Sequence, residues 1–528
     1  MITLLDYGAG NVRSVINAIE RLGESVSIVR SGEDILQAEK LVFPGVGAFG
    51  NMMRILQDKA LVRPLQTYLR NDRPFLGICL GMQALFDFSE EAPDIPGLGV
   101  IPGRVKRFAT DRSIPHIGWN GYKLEKPSPL FNGLHGEEKL YFVHSYYVEP
   151  KDAGVVLTRT DYGQEFVSAI QQGRLTATQF HPEKSGPTGL QILENFITST
   201  GVRDQPRRCP RTTSLAKRIV ACLDVRSNDQ GDLVVTKGDQ YDVRERGAVR
   251  NLGKPVELAG RYYEQGADEI AFLNITAFRD FPLEDSPMLE VLKQTSTHVF
   301  VPLTIGGGIR DYTDSRGRSY SALDVAAEYF RSGADKVSIG SDAVLIVEEV
   351  LKTGIKTGKS AVESIARVYG NQAVVISVDP RRVYVHSPET TRHRVFPTTI
   401  PGPNGEAFCW FQCTVSGGRE GRDLDAVTLA AVCEELGAGE ILLNSIDRDG
   451  TNAGFDCELI AAVSDAVSIP VIASSGAGTV DHFHEVFTRT RAEAALAAGI
   501  FHRQEISIAE VKAGLSSTVA VRPIPDAS

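Results

Sequence analysis

A cysteine with glycine two residues away on each side, between a strand-like run and a helix-like run, is a candidate nucleophile. Residues 77–81 read Gly-Ile-Cys-Leu-Gly and lead into Met82-Gln-Ala-Leu-Phe-Asp-Phe, the strand, sharp turn and helix of a nucleophile elbow with Cys79 in the serine position. The glycines permit the turn, and the partial positive charge at a helix N-terminus favours the nucleophilic thiolate. A lone cysteine is more often a buried structural residue, and it is the flanking glycines that shift the reading toward catalysis. Downstream, Phe180-His181-Pro182-Glu183-Lys184-Ser185 supplies a base. Residues two apart share a face of an extended segment, so Glu183 can orient His181 and complete a Cys-His-Glu triad. Acyl transfer also needs donors for an oxyanion. Pro44-Gly45-Val46-Gly47 offers open backbone N–H groups, and the N–H of Leu80 is the second candidate.

A second set of chemical groups lies beyond residue 217. Asp224 and Asp379 each follow an apolar run, Ile219-Val-Ala-Cys-Leu and Val374-Val-Ile-Ser-Val. Two carboxylates at equivalent strand ends can serve as general acid and general base on opposite sides of one substrate, although a single strand-end Asp is often only a helix cap. Gly306-Gly-Gly308 pairs with the small-residue turn Ile339-Gly340-Ser341, and Ser474-Ser475-Gly476-Ala-Gly478 pairs with Ala497-Ala-Gly499. Each pair can present backbone N–H groups to a phosphate, which predicts a substrate with a phosphate at each end. Within this set Gly307, Gly308, Gly340, Ser341, Ser475, Gly476 and Gly499 are the candidate contacts. Asp447-Arg-Asp449-Gly450-Thr451 is expected to border the second phosphate, or to be an ordinary Asp-Gly turn.

The elements that must position these groups fall into two sets. Upstream, the strand candidates Val26 to Val29, Lys40 to Phe43, Pro74 to Ile78 and Thr176 to Phe180 alternate with helix-like stretches, which suggests an open, wound α/β sheet. Residues 199–217 are polar, basic and proline-broken without periodicity, so the reading is residues 1–200 as one domain, 201–216 as a linker and 217–528 as a second domain. Downstream, eight short runs are each followed by a helical pattern: Arg218 to Leu223, Glu269 to Ile275, Phe300 to Ile305, Lys336 to Ile339, Ala373 to Val378, Glu440 to Ser445, Pro470 to Ala473 and Ala494 to Ala497. That count predicts a (β/α)₈ barrel. The two sets of four also match: 38 positions separate Glu269 from Gly307 and 35 separate Glu440 from Ser475, so the barrel reads as a duplicated half-barrel.

Bulk composition narrows the function classes. Over 528 residues, 42% hydrophobic and 23% charged residues describe a globular protein of two or three domains. A formal net charge of −10 with no Lys/Arg stripe argues against nucleic acid as a partner, while small phosphorylated ligands remain open. The seven cysteines are scattered, with no Cys-x-x-Cys pair and no His at zinc spacing, which fits a reduced compartment and no metal. The first residues enter an apolar run with no basic or transit-type region, and no run suits a bilayer span. The expected location is cytoplasmic, with no membrane partner.

Pro-Gly-Val-Gly, Gly-Ile-Cys-Leu-Gly-Met-Gln and His-Pro-Glu-Lys-Ser resemble the class I, triad-type glutamine amidotransferases. The resemblance implies hydrolysis of the glutamine side-chain amide through a thioester. It adds Gln83 and the stretch Tyr141-Phe-Val-His144-Ser145-Tyr146 as pocket residues and Asp6-Tyr-Gly-Ala-Gly-Asn11 as the N-terminal loop. In the second half, Leu-Asp-Val, Gly-Gly-Gly-Ile-Arg, Ala-Asp-Lys-Val-Ser-Ile, Ser-Ile-Asp-Arg-Asp-Gly and Ser-Ser-Gly-Ala-Gly resemble the cyclases of the imidazole glycerol phosphate synthase family. Fusion of the two resembles the fungal or plant arrangement, and the lack of a plastid-type leader favours the fungal one.

This resemblance implies a bis-phosphorylated substrate, phosphoribulosyl-formimino aminoimidazole carboxamide ribonucleotide, to which ammonia adds. The imidazole closes, imidazole glycerol phosphate leaves with aminoimidazole carboxamide ribotide, and no metal or redox cofactor is required. It also gives meaning to four charged residues that begin strands one, two, four and six: Arg218, Glu269, Lys336 and Glu440 would form a salt-bridged gate for ammonia at the face where the glutaminase docks, rather than a solvated rim. Stand-alone bacterial cyclases usually carry Asp at the position of Asn274 and Asn at that of Gly340. Three stretches look inserted, Ser227 to Leu233, Tyr312 to Ser321 and Pro388 to Phe408. The first and third are expected to be mobile lids, with Lys237 reaching a phosphate. Both partners lie in one chain, expected to act as a monomer. Rival readings are a different triad-type amidotransferase, an inactive phosphometabolite scaffold, and a simple glutaminase or cysteine peptidase.

Overall fold

The computed structural model describes residues 1–8, 10–198, 201–202, 213–228, 232–236, 244–245, 248–249, 251–275, 283, 286–314 and 316–524. In the N-terminal half the apolar runs become the parallel strands Val26–Ile28, Ile2–Leu4, Leu41–Gly45, Phe75–Cys79 and Leu175–Thr178, in that spatial order. Leu41–Gly45 and Phe75–Cys79 are buried at every position, as strands covered on both faces must be. Beyond Leu175–Thr178 the same sheet turns antiparallel through Glu165–Gln172, Tyr146–Pro150 and Gly103–Arg107. This extension was not apparent in the sequence, because strands such as Gly103–Arg107 are only half buried. A separate antiparallel pair, His116–Asn120 with Leu140–His144, faces the second half.

The eight downstream runs form the parallel strands Arg218–Ser227, Glu269–Asn274, Leu303–Gly306, Lys336–Ile339, Val374–Val378, Glu440–Asn444, Val471–Ser474 and Ala494–Ala497. The last pairs with the first and closes the barrel. Strand three starts at Leu303 rather than Phe300, directly after Pro302, which has no N–H to give a ladder. Inward positions alternate along each strand. In strand one they are Arg218, Val220, Cys222 and Asp224, and the lumen above the first layer is the apolar set Val220, Cys222, Ala271, Val375, Leu442, Ile472, Ala494, Leu496 and Ala498. Strand one runs past the barrel as a hairpin arm, so Asp224 pairs with Thr236 inside a long strand instead of ending it.

Two of the apparent insertions are folded elements. Tyr312–Thr313 and Ser319–Tyr320 pair as a small hairpin. The region after strand five belongs to a four-stranded antiparallel sheet of Pro380–Val385, Phe396–Pro397, Phe408–Val415 and Glu420–Asp425. Glu458 ties it to the barrel, accepting from Thr398 Oγ1 at 2.8 Å, Thr399 N at 2.8 Å and Arg382 Nη1 at 2.9 Å. Within Pro388 to Phe408, the segment expected to be a lid, Thr398 and Thr399 are thus tied to Glu458. The first insertion is described only at Ser227, Asn228, Asp232 and Leu233, and Lys237 lies outside the described residues.

Of the expected linker, Thr213 to Ala216 are bound to the first half: Thr213 Oγ1 accepts from Asp161 N at 2.7 Å and Ala216 N donates to Trp119 O at 2.8 Å. The halves meet through buried polar contacts. Asn11 Nδ2 reaches Gly333 O and Asp335 Oδ1, both at 2.8 Å, Lys184 Nζ pairs with Asp335 Oδ2 at 2.7 Å, and Trp119 Nε1 donates to Asp268 O at 3.0 Å. Arg522 stacks on the Trp119 ring at 4.2 Å while its Nε and Lys512 Nζ each lie 2.6 Å from Asp268 Oδ1.

Candidate active sites

Cys79 sits at the end of strand Phe75–Cys79 with φ 53° and ψ −104°, a left-handed backbone that strains any side-chain-bearing residue. The helix Leu80–Gln83 follows at once. A Cβ at Gly81 would lie 2.0 Å from Phe43 O, and one at Gly77 would lie 2.7 Å from Gly81 O, so the turn admits nothing larger at either position. His181 Nδ1 meets Glu183 Oε1 at 2.8 Å, both side chains buried. Burial opposes a charge on the imidazole, but Glu183 and Cys79 outweigh it and push the His181 pKa up to about 10. A ring held protonated at neutral pH is the acid that a leaving amine needs.

The rest of the pocket is partly as expected. Gly45 pairs with Cys79 across the sheet, and its missing side chain lets Leu80 pack, since a Cβ there would lie 2.4 Å from Leu80 Cβ. The carbonyl of Val46 is held by Tyr7 Oη at 2.6 Å. Gly47, with φ 134°, opens on the same cavity of about 460 Å³ as Cys79, Leu80, Gln83, His144, Ser145 and Tyr146. Gln83 Nε2 donates to Tyr146 O at 3.1 Å, and His144 Nδ1 meets the same carbonyl at 2.7 Å. Burial drives His144 down to about 3, so it is neutral.

Three features escaped the sequence reading. Gln179 Nε2 donates to Cys79 Sγ at 3.3 Å from a position two before His181, just past strand Leu175–Thr178, a spacing that could have pointed to it. Glu91 lines the cavity, and burial raises its carboxyl to about 7 against the opposing hydrogen bond from Phe49 N. The opposite wall belongs to the barrel half, with Glu363, Arg367, Asn371, Gln372 and Gly437. Helix Ala361–Tyr369 touches the Gly47 loop directly: Val368 O accepts from Ala48 N at 3.4 Å.

At the barrel's N-terminal face the four charges form a closed ring. Arg218 Nη1 meets Glu269 Oε2 at 2.8 Å, Lys336 Nζ meets Glu269 Oε1 at 2.7 Å and Glu440 Oε2 at 2.6 Å, and Arg218 Nη2 also pairs with Glu440. None of the four is more than 1% exposed. Burial works against the charge on Glu269, but Lys336 and Arg218 outweigh it and hold its carboxyl below the usual range.

At the other face, Asp379 opens on a cavity of about 380 Å³ together with Asn274, Gly307, Gly308, Gly340 and Ser341. Burial pushes its carboxyl up, partly offset by the hydrogen bond from Asn444 Nδ2, and Asp449 adds to the rise. Asp449, Gly450, Ser475, Gly476 and Gly499 share a second, smaller cavity. Each of the two glycine-rich sets thus lines one cavity of its own. Asp224 lines neither cavity; it follows Cys222 on the inward face of strand one, with its Oδ1 3.9 Å from Cys222 Sγ.

With this geometry in place, the chain matches two family models, class-I glutamine amidotransferase over residues 3–200 and histidine biosynthesis protein over residues 218–507. It is similar to the imidazole glycerol phosphate synthase hisHF, chloroplastic, of Arabidopsis thaliana, 60% identical over 97% of this chain and 88% of that protein. The enzymes of the same name from Schizosaccharomyces pombe and Emericella nidulans are each 54% identical over 97% of this chain, covering 98% and 96% of their own lengths.

Proposed function

The chain belongs to the fused imidazole glycerol phosphate synthase family, and from that premise we propose that residues 1–200 are its glutaminase, 201–216 its linker and 217–528 its cyclase. It is a bifunctional enzyme of histidine biosynthesis, using glutamine as the nitrogen source for ring closure. Its substrate in the cyclase is phosphoribulosyl-formimino aminoimidazole carboxamide ribonucleotide, and the products are imidazole glycerol phosphate and aminoimidazole carboxamide ribotide.

Cys79 Sγ attacks the side-chain amide carbon of glutamine, and the carbonyl electrons move to oxygen, which the N–H groups at Gly47 and Leu80 receive. His181, oriented by Glu183, gives its proton to the departing nitrogen. Ammonia and a thioester result, and water, deprotonated by His181, releases glutamate. Glu91 is suited to the ammonium group of glutamine. Ammonia crosses the ring of Arg218, Glu269, Lys336 and Glu440 and follows the apolar lumen. The two cavities at the far face grip the two phosphates, while Asp224 and Asp379 exchange protons with the reacting centre. The observation that carries this reading is the alignment of a triad cavity walled by both halves, a buried ring of charge and an aspartate-bearing cavity along one barrel.

The deciding experiment supplies the bis-phosphate with either glutamine or ammonium salt. Cys79→Ala is expected to lose glutamine-driven turnover and keep ammonia-driven cyclisation, and Asp224→Asn to lose both. Loss of the ammonia reaction in Cys79→Ala would overturn the division of labour. We assign the protein to the cytoplasm as a monomer. The six described cysteines are free, and no described helix is long and apolar enough to cross a membrane.

A further inference from the structure

We propose that Arg310 binds one terminal phosphate of the cyclase substrate, supplying a full positive charge that the glycine loops lack; the inference rests on the bis-phosphate reading above. Arg310 lies on the wall of the cavity that holds Gly307, Gly308, Gly340, Ser341 and Asp379, and it is the one Lys or Arg among the described residues of that wall. The local backbone puts it there. Gly307, with φ 98°, packs so tightly on strand two that a Cβ would lie 2.1 Å from Asn274 O, whereas a Cβ on Gly308 would meet nothing within 4 Å. Ile309 is then buried as a pin, and Arg310 N turns back to Gly308 O at 3.0 Å, returning the chain to the cavity edge.

The Arg310 guanidinium makes no hydrogen bond or ion pair with any described residue. Elsewhere in this barrel the comparable cations are committed: Arg218 and Lys336 to Glu269 and Glu440, Arg382 to Asp456 and Glu458. The second cavity provides a direct contrast. Its cation is Arg503, whose Nε lies 2.6 Å and Nη2 3.1 Å from the Glu505 carboxylate. A phosphate monoester carries about −1.5 to −2 charge, and backbone N–H groups at a helix start offer only about half a unit in return. An uncommitted arginine beside those N–H groups, with its planar fork of donors, completes the match. The two ends of a duplicated barrel are therefore unlike, and Arg310 marks the end that discriminates by charge.

The test uses the full-length protein with saturating ammonium chloride, which bypasses the glutaminase. Arg310→Gln is expected to raise KM for the bis-phosphate roughly 10- to 100-fold, the loss of one charge-assisted contact, with kcat falling less than about fivefold, the signature of a binding contact. Arg310→Lys should recover part of the KM. A second measurement needs no variant: phenylglyoxal should modify Arg310 in the free protein, read by peptide mass, and inorganic phosphate should protect it. A KM within twofold of wild type in Arg310→Gln, or equal modification with and without phosphate, would overturn the inference. Failure of the wild-type protein to turn over the bis-phosphate would instead overturn the functional reading.

Discussion

Asn444 donates from Nδ2 to Asp379 Oδ1 at 2.7 Å, linking the ends of barrel strands five and six. The contact orients a carboxyl whose pKa burial has raised. A raised carboxyl pKa means that stability is full below the unfolded value, near 3.9, and is lost as pH rises through the folded value. Above the unfolded value, burying this carboxyl therefore costs the fold. Asp379→Asn should abolish cyclisation yet raise Tm by about 1–2 °C for each kcal/mol recovered, provided the new carbonyl accepts from Asn444. Scanning calorimetry checks it, and a lower Tm would count against the assignment.

Glu91 makes the glutaminase sensitive to pH. Its carboxyl, at about 7, is protonated below neutrality and ionised above it. If the charged form holds the glutamine ammonium group, KM for glutamine falls as pH rises from 6 to 8, and Glu91→Gln flattens that profile at a high KM. Initial rates across the range decide it, and a variant that keeps the wild-type profile would exclude Glu91.

Removing one charge from the buried ring should be severe. Lys336→Met leaves Glu269 and Glu440 with Arg218 alone, and an uncompensated buried charge costs about 3–5 kcal/mol. Chemical denaturation should show a midpoint shift of that size. A shift under about 1 kcal/mol would mean that water reaches the ring.

Trp119→Ala removes both the hydrogen bond to Asp268 O and the surface on which Arg522 stacks. The seam between the halves should loosen, so that ammonia escapes. Glutamate formed per imidazole product, which equals one in a sealed enzyme, should rise above one while ammonia-driven cyclisation persists. A ratio that stays at one would place the seal elsewhere.

The parts legible in the sequence were those whose signal is local. Cys79 announces itself by its glycines, and His181 and Glu183 by a spacing of two, met in a 3₁₀ turn at Pro182–Lys184 rather than in an extended run; the four ring charges stand out as first residues of strands, but only the family resemblance gives them a role. What could not be read is who meets whom. Arg218 reaches Glu440 only because strand eight closes on strand one and curves the wall. Asn444 and Asp379 are 65 residues apart and neighbours only through the strand pairing. The Glu363 and Gln372 wall of the glutamine cavity comes from the other half of the chain. The segment after strand five read only as an insertion because the strands that pair there and its anchors, Arg382 to Asp456 and Glu458, are remote in sequence.

The ring of Arg218, Glu269, Lys336 and Glu440 holds two positive and two negative side chains, so its charges sum to zero, and above it the lumen is apolar. A cation leaving water for such a passage loses several kcal/mol of hydration with no anion left over to replace it. Neutral ammonia gives up only a few hydrogen bonds. On the proposed route the passage acts as a selectivity filter that sorts by charge state rather than by size, admitting the base and turning back its conjugate acid.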